Sequence, residues 1–313
     1  MERSRRRFIC DAARLVACVA TGATSVFSQT SKSKTRLILL GTGGGPRPRT
    51  NSYASSQVII VDDHAYVIDC GDGVATQLTR ARVPLATINN IFITHQHSDH
   101  NADYGNLMLL AWSAGLKTRV DTWGPPPLAR MTRLFFEMNV VDIRIRTVDE
   151  GRGPLIPLVH AHEIVSGTTL FKNDHVTVRS ALVDHGMLKP ALAYRFDTRD
   201  RSIVISGDTV KSQSLIDLAS GADVLVHEAM YLPGIESLLA RVPNAKSLKQ
   251  HLLRSHTTAE DAGKVAKAAG VKTLVLSHFV PADDPEISDS MWLDAARKNF
   301  DGEIIIGKDL MEI

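Results

Sequence analysis

The chain has 313 residues, of which 44% are hydrophobic and 22% are charged, with a formal net charge of +2 and a mean hydropathy of −0.04. This composition is typical of a globular protein with a large core, arranged as one α/β domain or two smaller ones, and it excludes a disordered chain. The charge is nearly balanced, so composition gives no argument for nucleic-acid binding.

The first 28 residues differ from the rest of the chain. An arginine cluster is followed by small and apolar residues and then by a polar run, as in secretory signal peptides. Residues 4–9, SRRRFI, resemble a twin-arginine export motif. We therefore expect residues 1–28 to be an export signal, residues 29–313 to form the mature domain, and the protein to be periplasmic or secreted. A frayed basic arm and a lipoprotein processed at Cys18 are the alternatives.

Removing that segment changes the charge and the cysteine count. It contains five arginines and two acidic residues, so the remainder has 31 basic and 32 acidic residues and a net charge near −1. It also contains two of the three cysteines, which leaves Cys70 alone and excludes a disulfide framework. No other stretch approaches the ~18 apolar residues of a membrane span, so we expect none in the mature chain.

Short Val/Ile-rich runs bounded by Gly, Asp or Asn predict strands, and longer runs between them predict helices. In the first half we predict strands at 36–41, 57–62, 65–71, 90–94 and 120–123, and helices at 74–82, 103–114 and 127–138. In the second half we predict strands at 175–184, 191–197, 201–206, 222–228, 272–278 and 303–307, and helices at 212–220, 234–242, 258–270 and 287–299. Each half is β-rich at first and then alternates strand with helix. This order predicts an α/β fold in which two mixed β-sheets face each other with helices outside, a four-layer αβ/βα sandwich.

A cluster of histidine and aspartate follows the strand predicted at 90–94. Residues 93–100 read ITHQHSDH, and three of the chain's twelve histidines lie within six positions. His95 and His97 are two residues apart in extended chain and should face the same side, while Asp99 and His100 suit a neighbouring position. Neutral imidazoles and carboxylates are ligands that zinc prefers. The cluster therefore predicts one wall of a metal site.

Further candidate ligands lie at the ends of other predicted strands: His185, Asp208, His227, Glu228 and His278. Because binding residues concentrate on loops that a rigid sheet positions, we expect these side chains to converge with the cluster at 93–100 on a dinuclear site. The other histidines lack this context and are predicted to be surface or structural residues: His64, His160, His162, His175 and His251. Cys70 is likewise predicted to be a small buried structural residue.

The H-x-H-x-D-H pattern, followed by a separate His, a Gly-Asp-Thr and a Ser-His-Phe, resembles the metallo-β-lactamase superfamily from the TGGGP at 42–46 to the SHF at 277–279. ADVLVHEA at 222–229 and HTTA at 256–259 resemble the branch that contains tRNase Z and the arylsulfatases of this fold. The resemblance implies two zinc ions, with other divalent metals open. The implied ligands of one ion are His95, His97 and His185, those of the other are Asp99, His100 and His278, and Asp208 bridges both.

The resemblance also implies roles around the metals. A hydroxide shared by the two ions, held at Asp208, would be the nucleophile. Asp69 would orient a ligand histidine. Glu228 and His256 would act as a pair that protonates the leaving group. His256 also precedes the predicted helix at 258–270, for which Thr257 and the glutamate three residues later read as a capping box.

The substrate is less well defined than the chemistry. Export, together with a short and non-basic segment at 150–166 where an RNA-gripping arm would be expected, argues against tRNA. The main prediction is therefore an arylsulfatase-like hydrolase of small sulfate or phosphate esters, with Arg195 as a candidate contact for the anionic group. No nucleic-acid partner is favoured, and a homodimer is left open.

Three alternatives remain. The first is a zinc phosphodiesterase of the tRNase Z type, which would process the 3′ end of tRNA with the same metal chemistry. The second is a lactonase or a β-lactamase on the same fold. The third belongs to another class of protein, a non-catalytic metal-binding scaffold, and predicts that at least one ligand is missing.

Overall fold

The computed structural model describes residues 35–313. The predicted signal peptide at 1–28, its arginine motif and Cys18 lie outside the described residues. The strands of one sheet are β1 Arg36–Gly41, β2 Ser56–Val61, β3 His64–Ile68, β4 Asn90–Phe92, β5 Val120–Gly124 and β6 Val159–Glu163. Those of the other are β7 Thr168–Lys172, β8 Val176–His185, β9 Leu188–Thr198, β10 Ser202–Ile205, β11 Val224–Met230, β12 Thr273–Val280 and β13 Glu303–Ile306.

Ten α-helices connect and cover these strands within the described part of the chain. They are α1 Val74–Arg80, α2 Ser98–Asn101, α3 Tyr104–Ser113, α4 Leu128–Met138, α5 Val140–Asp149, α6 Gln213–Ala219, α7 Ile235–Leu239, α8 Ala245–Ser255, α9 Ala259–Ala269 and α10 Asp289–Arg297. Among residues 35–313, none of these helices has the length and apolarity needed to cross a membrane.

The two sheets are built on the same plan. In the first, β1, β2 and β3 pair antiparallel, and β4, β5 and β6 then continue the sheet in parallel with β3. In the second, β7 to β10 form antiparallel pairs, and β11, β12 and β13 extend it in parallel with β10. Parallel neighbours need long crossovers, which is why helices appear in the second part of each sheet and not in the first.

The core lies in three layers, because both faces of each sheet are covered. Between the sheets, Phe92 of β4 packs its ring against Tyr194 and Phe196 of β9, with centroids 5.4 and 5.2 Å apart. The outer face of the first sheet is covered by α1, α3 and α4, and that of the second by α6, α9 and α10. Strands buried on both faces read as continuous apolar runs, which is the pattern seen in the sequence. The predicted four-layer sandwich is confirmed.

Some elements were not predicted. The alternation IRIR in α5 suits a strand as well as a helix, and most of its apolar residues are exposed. The helix predicted at 234–242 is the shorter α7, and α8, which follows it after a turn at Pro243, was not predicted. Residues 150–166, the segment predicted to be too short and too weakly basic for an RNA-gripping arm, contain a 3₁₀ turn and β6, which pairs with β5 at the sheet edge. The N-cap of α9 is Thr258, which accepts a hydrogen bond from the backbone N–H of Asp261, and not Thr257.

Candidate metal centre and active site

The candidate site lies where the carboxyl ends of parallel strands from both sheets meet. The loop after β4 carries His95 and His97, and the short helix α2 carries Asp99 and His100. The second sheet supplies His185 at the end of β8, Asp208 after β10 and His278 near the end of β12. Ligand sites in open α/β sheets form at this end, because the strands stop there and the loops diverge.

Three imidazoles form the first group of candidate ligands. His97 Nδ1 lies 3.1 Å from His95 Nε2 and 3.0 Å from His185 Nε2, and His95 Nε2 is 3.7 Å from Asp208 Oδ2. Burial lowers the pKa of His95 well below its ordinary value and that of His185 to about 4. Both rings are therefore neutral near pH 7, which is the form that binds a metal.

Two carboxylates and two imidazoles form the second group. His278 Nε2 lies 3.3 Å from Asp99 Oδ2 and 3.2 Å from Asp208 Oδ2, and His100 Nε2 lies 3.4 Å from Asp208 Oδ1. Burial lowers the pKa of His100, but three surrounding carboxylates outweigh it and hold that pKa well above its ordinary value. The second group therefore has a surplus of negative charge.

The donor set fits metal ions. His100 Nε2 and Asp208 Oδ1 are buried and have no hydrogen-bond partner among the described residues. A buried polar atom without a partner is costly, and a buried carboxylate is costlier still unless a cation faces it. The ligand atoms of each group lie within 4.8 Å of one another, and Asp208 belongs to both groups. The nitrogen and oxygen donors suit zinc or a similar divalent ion.

Neighbouring groups hold two of these imidazoles in position. Asp69 Oδ2 lies 2.8 Å from His100 Nδ1, and the same carboxylate accepts hydrogen bonds from the backbone N–H and the hydroxyl of Thr94. The backbone carbonyl of Ser255 accepts a hydrogen bond from His185 Nδ1 at 2.8 Å. Each contact leaves the Nε2 atom free to face the centre, as is usual for metal-binding histidines. Asp69 also has φ +60°, a strained conformation that suits a functional position.

Glu228 and His256 form a pair beside the metal-binding groups. His256 Nδ1 donates to Glu228 Oε2 at 2.7 Å, and Glu228 Oε1 accepts from the backbone N–H of Thr209 at 2.7 Å. Burial lowers the pKa of His256, but the Glu228 carboxylate outweighs it and raises that pKa to about 9. Burial raises the pKa of Glu228. The two side chains therefore share one titratable proton, which lies mainly on the imidazole and makes it an imidazolium beside a carboxylate.

A cavity of about 460 Å³ opens in front of these groups. Its lining includes the loop 44–49, residues of α7 and α8, and the side chains of His97, Asp99, Asp208 and His256. The loop is glycine-rich because it passes close to a candidate ligand. A Cβ atom on Gly44 would lie 2.7 Å from His278 Nδ1.

The structure does not bring Arg195 to this cavity. Its guanidinium donates to Asp197 Oδ1 and to the backbone carbonyls of Leu218 and Ser220, at the end of α6. This placement argues against a substrate contact, because the side chain is held on the outer face of the second sheet.

Several residues that line the cavity were not predicted from the sequence, among them His251, Arg47 and Arg241. His251, predicted to be structural, has its ring 5.8 Å from that of His256 and 6.1 Å from those of His97 and His185. Arg47 and Arg241 also border the cavity. Their positions in a loop and at a helix end leave no periodic signal that could have identified them.

Comparison with known proteins defines the class. Residues 64–279 match the beta-lactamase superfamily domain. Ribonuclease Z of Mycobacterium bovis (strain BCG / Pasteur 1173P2) is 30% identical over 280 residues, which cover 88% of this chain and 97% of the relative. The short form of human tRNase Z has a TM-score of 0.65 at 23% identity, covering 89% of this chain and 98% of that one. The metallo-beta-lactamase fold protein YhfI of Bacillus subtilis has a TM-score of 0.65 at 20% identity, with the same coverage of each chain.

The chain therefore belongs to the metallo-β-lactamase superfamily. It is a metal-dependent hydrolase that acts on ester bonds, with a ribonuclease Z as a relative over nearly the full length of that relative. A non-catalytic scaffold is thereby set aside, since each ligand position implied by the superfamily is filled.

Two predictions are wrong. The arylsulfatase-like reading is overturned by the ribonuclease Z relative, and so is the expectation of a small-molecule substrate with no nucleic acid favoured. Both predictions depended on the presumed cell compartment and on a missing arm. Neither observation concerns the residues that contact a scissile bond, so neither could decide between ester substrates.

Proposed function

We propose that this protein is a phosphodiesterase of the tRNase Z type that cleaves RNA at the 3′ end of a precursor tRNA. The observation that carries the proposal is the 30% identity to a ribonuclease Z over 88% of the chain and 97% of the relative. The buried Glu228–His256 pair supports it, because an RNA leaving group is a poor one and needs a proton.

The cofactor we propose is a pair of zinc ions. His95, His97 and His185 would hold one, Asp99, His100 and His278 the other, and Asp208 would contact both. When bound, such ions polarise the phosphate and lower the pKa of water, so that a nucleophile is present at neutral pH.

The protein's own residues would then hold the ligand histidines in position and protonate the leaving group. Asp69 and the Ser255 carbonyl hold His100 and His185 in orientation through hydrogen bonds to Nδ1. His256 has its Nδ1 engaged with Glu228, so Nε2 is the atom from which a proton can pass to the leaving oxygen. Before the proton is transferred, the Glu228 carboxylate stabilises the positive charge of the protonated His256 ring. It also keeps the ring in one orientation, because its other oxygen accepts a hydrogen bond from the backbone N–H of Thr209.

The direct test compares substrates side by side. Zinc-loaded protein should cleave a precursor tRNA transcript with a 3′ trailer, and its kcat/KM should exceed that for p-nitrophenyl sulfate. Gel analysis of the RNA and absorbance of p-nitrophenol are the measurements. Faster hydrolysis of the sulfate, or of a lactone or a cephalosporin, would count against the proposal.

Replacing His256 should separate good from poor leaving groups. We expect His256→Ala to lower kcat on the precursor tRNA by about 10²–10⁴-fold, the usual range for a general acid, and to affect bis(p-nitrophenyl) phosphate much less. The exposed His160 provides a control, since His160→Ala should leave both rates unchanged. An equal loss on both substrates would mean that His256 is not the acid.

Export remains a separate proposal. The arginine cluster and apolar run within residues 1–28 support it. A fusion of residues 1–28 to a reporter enzyme that is active only outside the cytoplasm should give reporter activity. The same fusion with Arg5→Lys and Arg6→Lys should give much less. Signal confined to the cytoplasm would contradict export.

A further inference from the structure

A small space lies between the two sheets, next to the metal-binding groups. Its volume is about 10 Å³, close to the least that one water molecule needs. Residues of β2, β11 and β12 and of the loop after β10 surround it, among them Gln57, Ser206, Asp208, Glu228, Ser277 and His278. It shares one lining residue, Asp208, with the larger cavity in front of the metal-binding groups. The two spaces are therefore on different sides of the centre.

Two side chains that line this space are buried without a hydrogen-bond partner. Gln57 on β2 and Ser277 on β12 are each 2% exposed, and neither Gln57 Oε1 nor Ser277 Oγ has a partner among residues 35–313. Both side chains face the interior between the sheets, since Ile59 and Val275, two residues away on each strand, belong to the core there. A buried amide or hydroxyl oxygen without a partner is costly, so each of these atoms is expected to bind a polar ligand.

The residue that follows Ser277 gives this position its importance. His278, a candidate metal ligand, has φ +45°, and the pairing of β11 with β12 shifts register there. A strained backbone of this kind persists only where the surrounding structure holds it. On one side the N–H of Phe279 donates to the carbonyl of Thr42 at 2.9 Å. On the other side, the Ser277 hydroxyl is the group through which the opposite sheet could hold the strand.

Ser206 supplies a third polar atom at the same space. Its hydroxyl donates to the carbonyl of Gly207 at 2.6 Å and accepts from the backbone N–H of Glu228 at 3.1 Å. A hydroxyl oxygen has two lone pairs, so it can accept one further hydrogen bond. Gln57 Oε1 and Ser206 Oγ can therefore accept, and the Ser277 hydroxyl can donate. Three hydrogen bonds are the usual number for a buried water.

We infer that one water molecule binds between Gln57, Ser206 and Ser277, and that it positions the metal ligand His278. The water donates to Gln57 Oε1 and Ser206 Oγ and accepts from the Ser277 hydroxyl. It thereby connects β2 of the first sheet to two strands of the second, beside the strained ligand. A sodium or potassium ion is a poorer occupant, because two bound zinc ions would repel it. The inference rests on the metal ions of the proposed function and is independent of its substrate.

A crystal structure of the zinc-loaded full chain tests the water directly. We expect electron density for one atom at about 2.5–3.0 Å from Gln57 Oε1 and from Ser277 Oγ, the range of O–H···O hydrogen bonds. Crystals grown with rubidium in place of sodium should show the same density. No density between these two atoms would overturn the inference, and stronger density with rubidium would do so as well, because it would identify the occupant as a cation.

Zinc affinity tests the positioning role, with Kd measured for each ion by competition with a chromophoric chelator. Gln57→Met removes Oε1 at nearly constant volume, and Ser277→Ala removes the hydroxyl. We expect each to raise one of the two Kd values by about tenfold, the lower end of the usual loss when a group that orients a metal ligand is removed. The double variant should also lose about tenfold and not about a hundredfold, because either change removes the one water that both residues hold.

Ser56→Ala is the matched control. Ser56 is a buried serine next to Gln57 on β2 and does not line the space, so both Kd values should stay unchanged. Ser277→Thr keeps the hydroxyl and should retain the wild-type affinity. The visible absorption of the cobalt-loaded protein should change in Gln57→Met and Ser277→Ala but not in Ser56→Ala. Thermal denaturation checks that each variant is folded, and Gln57→Met keeps the test decisive if Ser277→Ala is unstable.

The outcomes separate this inference from the proposed function. A wild-type protein that binds no zinc would overturn the proposed pair of ions and the positioning role with it. Zinc binding without cleavage of precursor tRNA would overturn the proposed substrate alone. Unchanged Kd values in both single variants, or independent losses that multiply in the double variant, would overturn the shared water and leave the proposed function standing.

Discussion

Asp208 is the residue on which the centre depends most. Its Oδ2 lies 3.7 Å from His95 Nε2 and 3.2 Å from His278 Nε2, so one carboxylate belongs to both groups. Burial favours the neutral form of Asp208, but His278 and His100 outweigh it and hold the pKa of the carboxyl well below its ordinary value. The side chain is therefore an anion that faces both groups of candidate ligands.

Asp208→Ala should abolish hydrolysis of each substrate, because it removes a ligand from both positions. Metal analysis by mass spectrometry should show about two equivalents of zinc in the wild-type protein and fewer than one in the variant. Asp174→Ala, at an exposed position, is the control and should retain both metal and activity. Full zinc content in Asp208→Ala would contradict the bridging role.

At the level of the elements, the carboxylate of Asp223 connects the N-terminal ends of the parallel strands β10, β11 and β12 through hydrogen bonds. Asp223, just before β11, accepts from the backbone N–H and hydroxyl of Ser202 at the start of β10, at 2.7 and 2.9 Å. Lys272, just before β12, donates to it at 2.6 Å. These contacts hold the strands in register at the end of the sheet opposite the site. The Lys272 hydrogen bond is the main reason that the pKa of Asp223 is lowered from 3.8 to about 2.

This shift predicts a pH dependence of stability. A folded-state pKa of about 2, below the ordinary 3.8, means that ionised Asp223 stabilises the fold above about pH 4 and that this contribution is lost as the pH falls through about 2. Asp223→Asn should lower the free energy of unfolding by about 1 kcal/mol at pH 7, and the difference from wild type should shrink toward pH 2. Urea denaturation from pH 7 to pH 2 is the measurement. Asp301→Asn, at an exposed carboxylate, should track the wild type, and a difference for Asp223→Asn that does not vary with pH would refute the assignment.

In the whole molecule, the centre joins the two halves of the sandwich. The loop after β4 and α2 belong to the first sheet, while His185, Asp208 and His278 come from the second. Metal bound there would connect the sheets at the edge where their packed interior ends. Binding to the folded state alone should then stabilise the whole fold.

Chelation tests this connection. Removing metal with a chelator should abolish activity and lower the Tm by roughly 5 °C, since a ligand at a hundredfold excess over its Kd contributes about 2.7 kcal/mol. Excess zinc should restore both. Asp208→Ala provides the control, because its Tm should respond little to the chelator. An unchanged Tm of the wild-type protein after metal loss would mean that the centre has no part in holding the halves together.

The sandwich and the candidate ligands could be read from local patterns. Strands buried on both faces must be apolar throughout, so β2 and β12 were visible as short apolar runs, whereas β8 alternates buried with more exposed residues. Each candidate ligand was identified because it follows or ends a predicted strand. The helices α5 and α8 were not predicted, because the periodicity of an alternating or short amphipathic stretch does not distinguish a helix from a strand or a loop. Arg195 was misjudged because the sequence of a strand does not tell what covers its face, here the carbonyl groups at the end of α6.

Residue types and their spacing were enough to predict the fold class, which is confirmed, and the candidate metal ligands, because strands, helices and the ligand cluster all show periods of two to four residues along the chain. Tertiary structure alone decided which groups face one another. His97 meets His185 across 88 positions and Asp99 meets His278 across 179. It also placed residues of separate segments around one cavity. Such long-range neighbours are set by how sheets and helices pack, and no local pattern records them.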